Sequence, residues 1–465
     1  MKKHNSHDKF VPAAQNLQVL RKGMVILMIL VNGKIIESDQ TGTILPTLEK
    51  RLCKTLQKPV LNPMVVVEAC HRLALRIENR DYPDFLTVLL TEGHVTEYQL
   101  DEVVNLFKKE SMLYKLKTEL GEFYPADYPG IYAGTETGML LSPPYDIKAP
   151  IQRCMMPLGV LFHIAAGNVD GLPAYSVIEG LLAGNINILK LPAADQGFTL
   201  RLLNELLMIE PLLSEYLYVF DTSSQDIASL RAMAKSADAI VVWGGDEAIL
   251  AARRLATPNT KIIEWGHKIS FAYITRQGME EQALSQLAHH ILLTKQLLCS
   301  SCQGIYLDTE DLNELHDFSR HFLTILDRAA EDYPRPDIGI QAQLTLLRYN
   351  KELEAAGTDT VVYRGKHCCV LAGADRKLEV SITHGNCWIK ALPHGKIIST
   401  LHRYKGYLQT VGLLCSPQER RELSLMLHRA GVTRVTHADD MSRMLCGESH
   451  DGEYPLRRYS KIVEF

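Results

Sequence analysis

The stretch GVLFHIAAGNVDGLPAYSVIEGLLAGNINILKLP, residues 159–192, decides the architecture. Val160-Leu161-Phe162-His163-Ile164 is an apolar run of strand length. Leu172 to Leu182 carries its apolar residues at helical spacing and stops at Gly184. Ile186-Asn187-Ile188-Leu189-Lys190 is a second strand, closed by a lysine. A buried strand, a short helix and another buried strand make a βαβ unit, the element from which parallel sheets are assembled.

The same alternation continues outward. Phe198 to Met208 reads as a helix, Tyr216 to Phe220 as a strand and Ile227 to Ala237 as a helix. Ala239 to Trp243 is a strand and Asp246 to Leu255 a helix, followed by short strands at Lys261–Glu264 and Phe271–Ile274. This pattern predicts an α/β fold with a doubly wound, mainly parallel sheet, which binds ligands at the carboxyl ends of its strands. Upstream, Met24 to Val31 reads as a strand that turns at Asn32-Gly33-Lys34 into a hairpin with Ile35-Ile36. Pro63–Arg76 and Glu97–Leu120 read as helices, and Tyr124–Pro150 as an extended connection. Downstream, Met279 to Leu298 reads as an amphipathic helix and Gly304 to Leu307 as a strand. We therefore expect a helical region plus nucleotide-binding domain over 1–268 and a catalytic α/β domain over 269–430. A C-terminal segment, 431–465, then packs back or serves an oligomer interface.

At 465 residues the chain is too long for one core. A hydrophobic content of 46% with 22% charged residues is that of an ordinary globular protein, and a formal net charge of -4 gives no reason to expect nucleic acid as a partner. The ten cysteines lack regular spacing, and Cys368 and Cys369 are adjacent, so free thiols in a reducing cytoplasm are expected rather than a disulfide framework. The Met24–Val31 run is far shorter than the roughly 20 residues of a spanning helix, and no small-residue cleavage site follows it. No membrane span is expected. Neither HExxH nor paired Cys/His zinc spacing is present, so no metal is expected.

Cys299 stands out chemically. It lies in Leu298-Cys299-Ser300-Ser301-Cys302-Gln303-Gly304, between the expected helix and strand. A thiol among small polar residues in such a loop is placed for attack. Cys302 competes for the role as the other half of a CxxC. There is no GxGxxG, but Gly244-Gly245 after a strand opens a helix and suits a phosphate.

Four segments, in order and spacing, resemble the aldehyde dehydrogenase superfamily: Gly159 to Asn168, Ala183 to Pro192, Glu264-Trp265-Gly266-His267-Lys268, and the Cys299 loop, with Glu264 placed 35 positions before Cys299. Within it, Cys299-Ser300-Ser301-x-Gln303, Trp243-Gly244-Gly245-Asp246-Glu247, Tyr407-Leu408-Gln409-Thr410-Val411-Gly412 and His450-Asp451-Gly452 resemble the Lux-type long-chain fatty acyl-CoA reductases of bacterial luminescence. The resemblance covers roughly residues 140 to 465.

It implies an acylating, aldehyde-forming reductase. Cys299 would take the acyl group from acyl-CoA or an acyl-protein, and Asn168 would donate to the oxyanion. Glu264 would serve in thiol activation, in proton transfer or in neither, and we favour thiol activation or proton delivery over activation of water. Lys190, with Gly244 and Gly245, would hold the cofactor. The superfamily often has an acid three positions after the lysine; here Ala193 stands there and Asp195 follows, which tilts the expectation to NADPH, with NADH as the alternative. His384 and His394 are further proton donors to consider. An acyl-protein synthetase as partner and a homo-oligomer are also implied. The competing readings are an oxidising aldehyde dehydrogenase that releases acid and a non-reducing acyl-binding or acyl-transfer protein.

Overall fold

The computed structural model describes residues 28–81, 97–121, 139–140, 151–165, 171–193 and 197–464, with Thr87, Leu90 and Asp195 besides. The chain divides into two compact units, Met1–Gly266 with Met444–Phe465, and His267–Arg443. The second unit thus extends to Arg443, and the C-terminal residues return to the first.

In the first unit the main sheet contains β1 (Met28–Val31), β2 (Lys34–Glu37), β5 (Val160–Ile164), β6 (Ile186–Lys190), β7 (Leu217–Phe220), β8 (Ala239–Trp243) and β9 (Lys261–Trp265). Their order is β2-β1-β7-β6-β5-β8-β9. β5 to β9 run parallel, whereas β1 joins β7 antiparallel and closes a hairpin with β2. The hairpin turns on Asn32 and Gly33, both at positive φ (52° and 70°), as a two-residue turn between twisted strands requires. The Met24–Leu27 part of the expected strand lies outside the described residues. Every residue of β6, β7 and β8 is buried. Such continuous burial is what a parallel sheet covered on both faces demands.

The helix Leu172–Leu182 ends as its sequence suggests. Gly184 takes φ 82°, Asn185 N donates to Gly180 O (2.9 Å) and Gly184 N to Leu181 O (2.9 Å), which satisfies the last carbonyls. The expected helix over Glu97–Leu120 is two helices, Glu97–Phe107 and Lys109–Leu120, because Lys108 is extended (φ -58°, ψ 141°). Both pack on the helix Pro63–Glu78, which a single straight rod could not do along its whole length. The expected connection Tyr124–Pro150 lies outside the described residues, except for β3 (Met139–Leu140). β3 pairs with β4 (Ile151–Pro157), and β4 with β17 (Ser460–Glu464), in a small antiparallel sheet. A buried ionic cluster holds the returning C-terminal segment. Lys115 pairs with Glu119 and with Glu179 (2.8 Å), while Leu456 N donates to Glu119 Oε2 (2.8 Å).

In the second unit the order is β12-β13-β14-β11-β10-β15-β16. These are β10 (Ile269–Ile274), β11 (Cys302–Leu307), β12 (Val361–Arg364), β13 (Cys369–Gly373), β14 (Asn386–Ala391), β15 (Leu408–Leu414) and β16 (Arg434–Thr436). All neighbours are parallel except β12 and β13. Phe271–Ile274, continuous in sequence with the first alternation, belongs to this second sheet as part of β10. Gly304 faces Trp388 across β11 and β14, and a Cβ there would sit 2.1 Å from the ring, so only glycine fits.

A polar network is buried inside the first unit. His163 Nε2 lies 3.0 Å from Asn187 Oδ1, and His163 Nδ1 lies 2.9 Å from Ser176 Oγ. Ser176 Oγ also accepts from Trp243 Nε1 (3.0 Å). The amide oxygen can only accept, so the Nε2 position carries the proton and the serine hydroxyl donates to Nδ1. The imidazole is therefore neutral, and burial lowers its pKa from 6.5 to about 4. Below pH 6.5 the unfolded chain takes up a proton that the folded one refuses until about pH 4, so His163 costs stability as pH falls through that window. His163→Gln should flatten the fall in melting temperature between pH 6.5 and 4 relative to the parent, a difference worth about 3 kcal/mol at most. Identical pH profiles would remove His163 from the acid sensitivity.

Candidate active site

The expected helix Met279–Leu298 is shorter than its periodicity, Glu281–Leu293. Lys295 (φ 50°) and Gln296 (φ 61°) are left-handed and break it. Such a conformation costs non-glycine residues energy and persists only where the surroundings hold it. Here the Gln296 side chain is the holder. It is buried, its Nε2 donates to Cys302 O (3.1 Å) and its Oε1 accepts from Gly385 N (3.1 Å). Gln303 reciprocates, donating through Nε2 to Gln296 O (2.9 Å) and accepting at Oε1 from Ser381 N (3.1 Å) and Ser381 Oγ (3.0 Å). His384 N donates to Lys295 O (3.1 Å).

Between the two glutamines the chain makes one tight turn. Ser301 N donates to Leu298 O (3.0 Å), and Ser301 Oγ accepts from Leu298 N (3.0 Å). Ser300 Oγ is tied to Ser442 Oγ at 2.9 Å. Ser270 Oγ donates to Cys299 O (2.7 Å) and accepts from Thr410 N (3.0 Å). Gln409 Nε2 donates to Cys299 Sγ at 3.5 Å. Cys299 thus sits at the amino edge of the second sheet, where β10, β11 and β15 begin.

The two thiols of the CxxC differ in burial. Cys299 is partly exposed, whereas Cys302 is fully buried, with Sγ donating to Gly304 O (3.2 Å). Burial pushes the Cys302 thiol up to about 12, which keeps it protonated at neutral pH. Of the two histidines considered, His394 pairs with Asp308 on the surface (3.2 Å). His384 lies in the segment that braces the Cys299 loop, and burial lowers its pKa, with Lys295 adding to the effect.

In the first unit the remaining candidates lie at or beyond the carboxyl ends of the sheet. The order β6-β5-β8 places a topological switch point between β5 and β8, where doubly wound sheets form their ligand crevice. Lys190 ends β6. It is 5% exposed, donates to Ser224 Oγ (3.0 Å), and burial lowers its pKa while Asp221 raises it. Asp195 is engaged with the next helix, accepting from Gly197 N (3.0 Å) and Thr199 N (3.3 Å). Gly244 and Gly245 follow β8. A Cβ at Gly244 would meet that of Ala248 at 2.9 Å, while Gly245 faces open space. Asp246 and Glu247 occupy the first turn of the helix they open, so an anion there would meet their charge.

Glu264 lies on β9. Its two oxygens accept from Arg253 Nε (2.5 Å) and Arg253 Nη2 (2.9 Å), and its carbonyl accepts from Arg458 Nη1 (3.0 Å). Trp265 beside it stacks on Trp243 (5.3 Å), with His450 5.0 Å from both rings. Asn168 lies outside the described residues. Asp221, Ser224, Ser270 and Gln296 escape a sequence reading, because strand ends, loop serines and glutamines carry no local signature. Gln409 does have one, its place in Tyr407–Gly412.

The fold is that of the aldehyde dehydrogenases. The structure of 3,6-anhydro-L-galactose dehydrogenase in complex with NAP superposes with a TM-score of 0.68 at 14% identity, over 94% of this chain and 99% of that one. Betaine aldehyde dehydrogenase from Staphylococcus aureus does so with a TM-score of 0.68 at 13% identity, over 97% of each chain. The family model for acyl-CoA reductase (LuxC) matches residues 137–462, and the chain belongs to that family. Relatives include long-chain acyl-protein thioester reductases of Vibrio harveyi, 27% identical over 66% of this chain and 64% of the relative, and of Aliivibrio fischeri, 27% identical over 38% of each. The matched segments therefore span less than two thirds of these relatives' own length. Among the described residues no helix is long and apolar enough to cross a membrane.

The difference in burial makes a direct prediction. Iodoacetamide applied to the native protein should modify Cys299 and spare Cys302 until denaturant is added, as read by peptide mass spectrometry. Equal labelling of both thiols in native buffer would contradict the burial of Cys302.

Proposed function

We propose that this protein reduces a long-chain acyl thioester to the aldehyde with a nicotinamide cofactor, through a thioester on Cys299. The observation that carries this reading is the accessible Cys299 thiol on a braced loop, in a chain of the acyl-CoA reductase family. Similar proteins named long-chain acyl-protein thioester reductases support the substrate class. The Cys299 thiolate attacks the acyl carbon, the bond to the carrier sulfur breaks, and the carrier thiolate leaves and takes a proton. One thioester replaces another of similar energy, so sulfur is the right nucleophile. When bound, the nicotinamide supplies the hydride. The resulting thiohemiacetal on Cys299 collapses to aldehyde and returns the thiolate. Asn168 is our candidate for the oxyanion donor.

Lys190, Asp221 and Ser224, at and just beyond the ends of β6 and β7, suit the hydroxyls and phosphate of a nucleotide. Capping of the next helix occupies Asp195, which leaves Ala193 and Lys190 to favour a 2′-phosphate. We therefore favour NADPH over NADH, with Gly244 and Gly245 allowing close backbone approach. The carrier, CoA or an acyl-protein delivered by a synthetase, sets the two arms of the assay.

Purified protein with radiolabelled acyl-CoA or acyl-protein should acquire label, and NADPH should then release aldehyde. Cys299→Ala should abolish both, and Lys190→Ala should raise the KM for NADPH more than it lowers kcat. Label retained on Cys299→Ala, or a clear NADH preference in the parent, would overturn the corresponding part.

Glu264 tests the direction of the chemistry. The Glu264 carboxylate accepts from Arg253 through both oxygens. Arg253 is 57% exposed, and an exposed ion pair is worth only about 0–1 kcal/mol, so the pair does not bar the carboxylate from acting as a base. Glu264→Gln should slow the burst of carrier thiol, measured without NADPH, by about 10²-fold or more. An unchanged burst with a longer-lived acyl-enzyme would assign Glu264 to water activation instead.

A further inference from the structure

We infer that Gln409 is a catalytic residue, the side-chain donor that stabilises the Cys299 thiolate and lowers its pKa. The inference rests on Cys299 being the nucleophile.

The geometry is specific. Gln409 Nε2 donates to Cys299 Sγ at 3.5 Å, within the range of an N–H···S hydrogen bond. Gln409 is 7% exposed, so this bond forms largely out of water, where a dipole acting on a charge is less screened. A thiolate is a stronger acceptor than a thiol, and a donor aimed at sulfur therefore favours the charged form.

Both ends of the contact are held by backbone. Gln409 lies on β15, whose register with β10 pairs Ile269 with Leu408 and Phe271 with Val411. The pairing slips between those two points, a bulge in β15 that sets Gln409 and Thr410 opposite Ser270. The bulge is where Ser270 Oγ reaches both Cys299 O and Thr410 N. One hydroxyl thus ties the nucleophile's backbone to the residue after Gln409. Gln409 O is tied as well, accepting from Thr433 N (3.1 Å) and Thr433 Oγ1 (3.2 Å). The amide therefore meets the sulfur without being ordered at the moment of reaction, which is the preorganisation that makes a donor effective.

The proton balance is simple. The donor keeps its proton throughout and transfers none; it shifts the equilibrium between thiol and thiolate. Once the acyl group is on sulfur, the charge is gone and the bond weakens, so the amide assists acylation and the return of the thiolate more than the hydride step.

The test measures the Cys299 thiol itself. The rate of iodoacetamide alkylation, resolved by peptide mass spectrometry, is followed against pH in the parent, Gln409→Leu and Gln409→Glu. The leucine variant lacks the donor, and the near-isosteric glutamate adds a like charge. We expect the apparent pKa to rise by about one unit in Gln409→Leu, hence a rate at neutral pH lower by about tenfold, and by more in Gln409→Glu. The carrier-thiol burst should slow in the same order while the KM for NADPH is unchanged. Melting temperatures check folding, and the glutamate variant, which keeps the side-chain shape, carries the test where leucine does not fold. An unchanged alkylation pKa in a folded variant overturns the inference. Acyl label retained on Cys299→Ala would instead remove the nucleophile assignment, a result distinguishable from failure at Gln409.

Discussion

The reciprocal pairing of Gln296 and Gln303 is the constraint on which the candidate active site depends. It holds two left-handed residues at the end of a helix and so ends that helix at Leu293, before the apolar pattern ends at Leu298. Without it the periodicity through Leu297 and Leu298 would carry the helix on, and Cys299 would lie on a helical face rather than in a loop. The same two amides reach Gly385 and Ser381, so the segment before β14 is braced in the same step. Amide side chains suit this work because each donates and accepts at once, and buried backbone groups in a broken turn need both.

Two thiols three residues apart differ in burial. Cys302 enters β11, faces the core and is held protonated. Cys299 stays at the strand's amino edge, partly exposed, with a donor on its sulfur. Desolvation works against charge at Cys302, whereas Cys299 meets the Gln409 amide. A CxxC read only by its spacing looks like a redox pair; read by depth, it holds one partly exposed thiol and one buried thiol.

The first sheet concentrates polar groups by another route. At its centre the His163, Ser176, Asn187 and Trp243 side chains satisfy one another, which makes a neutral buried histidine tolerable. At and just beyond the carboxyl ends of its strands, Lys190 and Asp221 are both penalised by burial and each is relieved by the other.

The sequence alone determined most of the alternation. Strands β5, β6 and β8 and the helix Leu172–Leu182 fall where hydrophobic period, glycine and proline put them, because continuous apolar runs have one stable use in a covered parallel sheet. Cys299, Lys190 and Glu264 became candidates through motif order, and of the three local chemistry marks only Cys299. Tertiary structure decided the rest. It assigned Phe271–Ile274 to the second sheet, ended the helix before Cys299, separated Cys302 from Cys299 by burial, and brought Ser270 and Gln409, 29 and 110 positions away, onto Cys299. Those contacts are set by strand register and by a bulge. Register depends on how whole strands pair, and no short window of sequence contains that information.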